Sequence, residues 1–169
     1  MSEEISNVEE VKKRPEFLKV ICILSFITIG SNLIFGFIGF LSGPQSDEEL
    51  LDGKVELAKS IGELKKAGMD SMIEIMEQLN RMTVEINDSF YLASILGLIV
   101  ASIGLFGVLK MWKGMKLGFH MYIIYSLISV VSIYLYVSPA NIPSFIIVFN
   151  LLISGLFIFM YSRNLHWMK

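Results

Sequence analysis

Lys12-Lys13-Arg14-Pro15-Glu16-Phe17-Leu18-Lys19 leads into Val20-Ile21-Cys22-Ile23-Leu24-Ser25-Phe26-Ile27-Thr28-Ile29-Gly30-Ser31-Asn32-Leu33-Ile34-Phe35-Gly36-Phe37-Ile38-Gly39-Phe40-Leu41, and no Lys or Arg follows before Lys54. A helix needs roughly 20 apolar residues to cross a hydrocarbon core, so Val20 to Leu41 reads as a membrane span. Its cations stand on one side only. Three further uncharged or nearly uncharged runs share that asymmetry. Ser89 to Leu109 leads into Lys110, Lys113 and Lys116; Leu117 to Val137 ends in the uncharged Ser138-Pro139-Ala140-Asn141-Ile142-Pro143-Ser144; Phe145 to Tyr161 leads into Arg163 and Lys169. Short loops rich in Lys and Arg stay on the cytoplasmic side. The simplest threading has four spans and both termini cytoplasmic.

The expected fold is therefore an all-α integral membrane protein, a four-transmembrane-helix bundle with an extramembrane helical hairpin between the first two spans. Residues 1–15 form a cytoplasmic N-terminal segment, 16–42 the first span and 43–88 an extracytoplasmic amphipathic segment. Residues 89–110 are the second span, 111–116 a cytoplasmic turn, 117–137 the third span and 138–144 an outer loop. Residues 145–162 are the fourth span and 163–169 a cytoplasmic tail. A retained signal anchor fits the first span better than a cleaved signal peptide, because the run is too long and lacks a small-residue cleavage site.

Composition agrees with two solvents for one chain. Of the 169 residues 18% are charged, below the quarter usual for soluble domains, and the charges concentrate between Asp47 and Asp88. The net charge of -2 and the absence of basic patches interleaved with aromatics point away from nucleic acid.

Within 43–88, Ser46-Asp47-Glu48-Glu49 fits a capping box. Leu57, Ile61 and Leu64, then Met72, Ile75 or Met76, Leu79, Met82 and Ile86, recur at helical spacing. Lys65-Lys66-Ala67-Gly68 reads as a helix stop, with Asp70 or Ser71 as the next cap. A break there returns both ends of the segment to one membrane face. Eleven acidic against five basic residues from Asp47 to Asp88 argue for a projecting hairpin over helices lying on anionic lipid. Met69, Met72, Met76 and Met82 are candidate partner-binding residues, since flexible thioethers suit adaptable surfaces; filling the hairpin's own core is the competing role.

The spans carry small residues at helical spacing: Thr28, Asn32, Gly36, Gly39 and Gly43; Ala93, Gly97 and Ala101; Ser126, Ser129 and Ser132; Asn150, Ser154 and Gly155. Such stripes let helices approach closely in lipid, as seams of one bundle or as faces toward another subunit. Asn32 and Asn150 are the candidate intramembrane polar contacts, because an amide in hydrocarbon must find a hydrogen bond. Interhelical hydrogen bonding is the favoured reading, a polar substrate path the alternative.

No carboxylate, Lys or Arg lies in any of the four runs, which argues against proton-coupled transport. Cys22 is the single cysteine, so a dithiol relay is excluded. His120 reads as an interfacial residue and His166 as solvated, neither with a metal-binding companion. No catalytic motif, cofactor loop or metal site emerges.

Arg14-Pro15-Glu16-Phe17-Leu18-Lys19-Val20, and Met111-Trp112-Lys113-Gly114-Met115-Lys116-Leu117-Gly118-Phe119 followed by Tyr122, resemble small four-span bacterial inner-membrane proteins of uncharacterised function. That resemblance implies a cell inner (plasma) membrane and supplies no activity or functional residue. The expected role is a non-catalytic accessory or scaffold subunit, partnered by the lipid bilayer and by a homo-oligomer or larger membrane protein complex. The alternative is a small oligomeric transporter or channel for an uncharged or lipid-like molecule. An enzyme acting on lipid or thiol conjugates ranks third, since it would place charged ligands in its spans.

Overall fold

The structure, a computed structural model, describes residues 14–169, so most of the predicted N-terminal segment lies outside the described residues. Six α-helices follow one another: α1 (Glu16–Ser42), α2 (Asp47–Lys66), α3 (Asp70–Asp88), α4 (Phe90–Trp112), α5 (Lys116–Val131) and α6 (Ser144–Ser162). Short 3-10 turns at Ser132–Leu135 and Pro139–Asn141 lie between α5 and α6. No strand occurs among the described residues. Four helical stretches, Glu16–Ser42, Phe90–Trp112, Lys116–Leu135 and Ser144–Ser162, are long and apolar enough to cross a membrane, with mean hydropathies of 2.2, 2.5, 1.6 and 2.2 over an 18-residue window in each.

Backbone chemistry sets the ends of these helices. Pro15, at φ -57, precedes α1 with a geometry suited to a first turn, and Gly43 leaves it at φ 83, where a side chain would be strained. The α4–α5 turn uses Gly114 in the same way at φ 79. The third apolar run is one span by composition, yet its α-helix stops at Val131 and tightens into the 3-10 turn. Ser129 and Ser132 donate their hydroxyls to carbonyls three residues back, at 2.9 and 3.4 Å. Such local bonds compete with the regular ladder and accompany the change of pitch.

Packing is uneven along the bundle. At one end, called here the basic end, lie the start of α1, the α4–α5 turn and the chain's last residues. Leu18, Ile21, Cys22, Val108, Met111 and Tyr161 are fully buried there. The closest pair is α4 with α5. A Cβ on Gly118 would overlap the Gly107 carbonyl, and one on Gly104 would meet the Tyr125 ring at 2.7 Å. Glycine thus sets the helix separation, as expected where apolar side chains gain little by leaving lipid. Helix α6 joins this core only near its C-terminus, through Tyr161 with half-buried Phe157, Ile158 and Met160. Residues 163–169, the predicted tail, fold back on the α4–α5 turn. Lys169 N–H donates to the Gly114 carbonyl at 2.7 Å, and Lys116 N–H to the Lys169 carbonyl at 2.9 Å.

Helices α2 and α3 pack against each other at the opposite end. The capping box is present: Glu49 N–H donates to Ser46 Oγ at 3.3 Å, and Ser46 N–H to the Glu49 carboxylate at 2.8 Å. Helix α2 ends at Lys66 and Gly68 follows at φ 68, where the Lys-Lys-Ala-Gly stretch predicts a helix stop. Neither Asp70 nor Ser71 caps α3. Its N-cap is Met69, with no side-chain bond, because the helix starts a residue early and Asp70 already lies in its first turn. Helices α3 and α4 are separated by Ser89 alone (φ -104, ψ 23), so α3 runs almost directly into the membrane-length helix.

Candidate functional site

The buried core takes in α6 only near its C-terminus, and toward the other end the helices leave open space. A groove of about 560 Å³ lies there, bounded by α1, α4 and α5. Asn32 and Gly36 come from α1, Ala93, Ser94 and Gly97 from α4, and Tyr125, Ser129 and Ser132 from α5 and the 3-10 turn. The serine hydroxyls of Ser129 and Ser132 are already engaged by their own backbone. The Asn32 amide makes no hydrogen bond among the described residues. The groove therefore offers one unengaged amide between small residues, at a depth where lipid provides no partner.

Asn150 is not brought to this groove. It stands exposed on α6 and donates to the Ile146 carbonyl at 2.9 Å, satisfying one amide hydrogen within its own helix. The two predicted polar contacts thus occupy separate surfaces. The glycines of the spans divide as well. Gly104, Gly107 and Gly118 are seams inside the chain, whereas Gly30, Gly39, Gly97 and Gly155 have no heavy atom within 4 Å of a would-be Cβ.

The four candidate methionines also separate. Met69 and Met72 are 42% and 43% exposed, near the turn between α2 and α3. Met76 is half-buried and lines a cleft of about 350 Å³ with Gly53, Leu57 and Ser60 of α2. Met82 is half-buried further along α3. Leu51 and Val55 of α2 are exposed as well, so the pair keeps apolar surface uncovered.

Several polar contacts that organise the molecule carry no periodic signature. Tyr161 is fully buried, and its hydroxyl lies 2.8 Å from Ser25 Oγ and 3.2 Å from the Ile21 carbonyl, fastening α6 to α1. Asn164, 4% exposed, donates to the Met160 carbonyl at 3.0 Å and ends α6. At the other end Glu85 accepts from the Ser138 backbone N–H at 2.7 Å and from the Asn141 amide at 2.9 Å. Those bonds, the Ser138 N–H foremost, hold the Glu85 carboxyl below the usual carboxylate value. Arg81 donates to Asn141 at 3.0 Å. Asn87 pairs with Gln45 in both directions, its Oδ1 accepting at 2.7 Å and its Nδ2 donating at 3.2 Å. Two independent clamps therefore hold α3 on the bundle.

His120 and His166 are exposed, each with Nδ1 about 3 Å from a carbonyl of its own chain segment, Lys116 and Arg163 respectively. Among the described residues no three His, Cys, Asp or Glu side chains converge on a point that could hold a metal ion. The fold defines a class, all-helical chains with four helices fit to span a membrane. No family model, curated protein or solved structure matches this chain.

Proposed function

We propose that the chain is a non-catalytic multi-pass subunit of the inner membrane, an accessory or scaffold component that works through protein–protein contacts. In this reading both termini face the cytoplasm and α2 with α3 projects on the other side as a helical hairpin. The observation that carries it is the set of uncovered small residues: Gly39, Gly97 and Gly155 meet nothing among the described residues, while Gly107 and Gly118 are tightly used. Faces suited to close helix contact are thus in excess of what the fold itself consumes. The exposed Met69 and Met72 add an adaptable apolar surface outside the spans.

The test has two parts. A periplasmic reporter fused at Lys66 should be active only outside the cytoplasm; activity in the cytosol overturns the orientation. Purification from native membranes in mild detergent should then yield a stoichiometric protein partner or a homo-oligomer. Charging Met69 and Met72 together, both exposed, should release a partner bound at the hairpin while the spans stay inserted. An unchanged yield removes the methionine surface from the proposal.

A second reading, transport of an uncharged or lipid-like molecule, is favoured by the groove around Asn32. Its difficulty is the packed basic end, where Leu18, Ile21, Val108, Met111 and Tyr161 are fully buried and fill the space below. Flux through liposomes that survives Asn32→Ala would remove the residue on which this reading rests.

A further inference from the structure

The basic end holds an arrangement that the proposed subunit role does not use. The Arg14 guanidinium lies 3.9 Å above the centre of the Trp112 ring and 6.0 Å from that of Trp167. Its Nε is buried without a hydrogen-bond partner, and Arg14 forms no ion pair among the described residues. A guanidinium is planar and presents five donors in a fixed fork, so one flattened on an indole keeps its edge free for an oxyanion.

The surroundings are built to keep that platform in place. Trp167 packs over Gly114, where a Cβ would come within 3.0 Å of its ring, and Gly114 is at φ 79. The Lys169–Gly114 and Lys116–Lys169 backbone bonds pin the tail that carries Trp167. Lys113, Lys116 and Lys169 are exposed around the same turn. No Asp or Glu occurs anywhere after Asp88. Glu16, the acid nearest to Arg14 among the described residues in sequence, is engaged by Lys19 at 2.6 Å. The positive field at this end is therefore uncompensated by the helices that form it.

We infer that Arg14, with Trp112, Lys113, Lys116 and Trp167, forms a site for a phosphate group, that of an anionic phospholipid. The site stands where helices of membrane-spanning length end, which is the level of the lipid headgroups. Arg14 supplies charge-assisted hydrogen bonds to phosphate oxygens, the lysines supply point charge, and the indoles occupy the interfacial layer. The inference needs the four spans and holds whichever compartment this end faces, so it stands or falls separately from the subunit reading.

Trp112 and Trp167 are the chain's two tryptophans, which gives the experiment its own reporter. The full-length protein in a non-ionic detergent is titrated with phosphatidylglycerol, phosphatidylcholine or inorganic phosphate. Tryptophan fluorescence and native mass spectrometry follow binding. Phosphatidylglycerol should shift the fluorescence saturably and remain bound in the mass spectrum, and phosphatidylcholine should not. Arg14→Gln should weaken binding roughly tenfold, the loss expected for one charge-assisted contact. Arg14→Lys should recover only part of it, because an ammonium lacks the flat fork. Lys113→Gln with Lys116→Gln, both exposed, should also weaken binding and guards against a folding defect in the Arg14 variants. Saturation by inorganic phosphate at comparable affinity would keep the phosphate chemistry and assign a soluble ligand instead of a lipid. Equal response to phosphatidylcholine, or binding unchanged in Arg14→Gln, overturns the site.

Discussion

Glu85 and Ser138 are 53 positions apart, yet the Glu85 carboxylate accepts the Ser138 backbone N–H at 2.7 Å. That bond ties α3 to the loop that leads into α6, and its carboxylate has a titration behaviour that can be followed. The Glu85 carboxyl is held below its ordinary value of 4.5 because the ionised form accepts these hydrogen bonds. A lowered value in the folded state means that the stabilisation is complete above the ordinary value and is lost as pH falls through the folded one. Glu85→Ala should therefore lower the melting temperature in detergent at pH 7, and the gap from the parent should close as pH drops below 4.5. A gap independent of pH would show that the carboxylate is not what holds the loop.

Gly118→Ala should be among the most damaging single-methyl additions in the chain. Its Cβ would overlap backbone of α4 at Gly107 and Met111, which cannot move aside as a flexible side chain can. Overpacking of this kind costs on the order of 1–3 kcal/mol. Gly97→Ala meets nothing among the described residues and should leave the monomer's melting temperature unchanged. If the Gly97 face serves a second subunit, cross-linking yield should fall in that variant alone.

Removing the Tyr161 hydroxyl should loosen α6 without creating a large void. Tyr161→Phe forfeits contacts with Ser25 and the Ile21 carbonyl, worth about 1 kcal/mol in total for a buried pair. Ser25→Ala in combination should cost less than the two changes added together, since both delete the same contact. Thermal unfolding of the four proteins of that cycle provides the measurement, and strict additivity would deny the contact any energetic role.

Ser46→Ala should fray the start of α2. The hydroxyl takes the Glu49 N–H and the Glu49 carboxylate returns the bond, so the change removes a cap worth about 1 kcal/mol. Amide exchange at residues 47–50 should accelerate while α4 and α5 stay protected.

The sequence made the helices legible but not their partners. Uninterrupted apolar runs announce the four long helices, and Ser46, Glu49 and Gly68 announce α2 and its end, because capping and chain reversal are local chemistry. Gly97 and Gly107 are both small residues of one apolar run, with nothing in the sequence to tell them apart. Only the docking of Gly118 against one and not the other distinguishes a used seam from an open face. Asn32 and Asn150 read as an equivalent pair for the same reason, although α6 carries Asn150 away from the groove that Asn32 lines. The Glu85 clamp joins a helix to a distant loop through one side chain, and no periodicity registers a contact of that sort.

Helix α6 is moored at two points with little between them. Tyr161 fixes it to α1, and through Ser138 and Asn141 the segment before it is tied to Glu85. At 1.5 Å per residue this 19-residue helix is about 28 Å long, so a tilt of about 10° about Tyr161 carries its far end some ~5 Å. A force applied to α3 thus reaches α6 as leverage, transmitted where the Glu85 carboxylate grips the Ser138 amide.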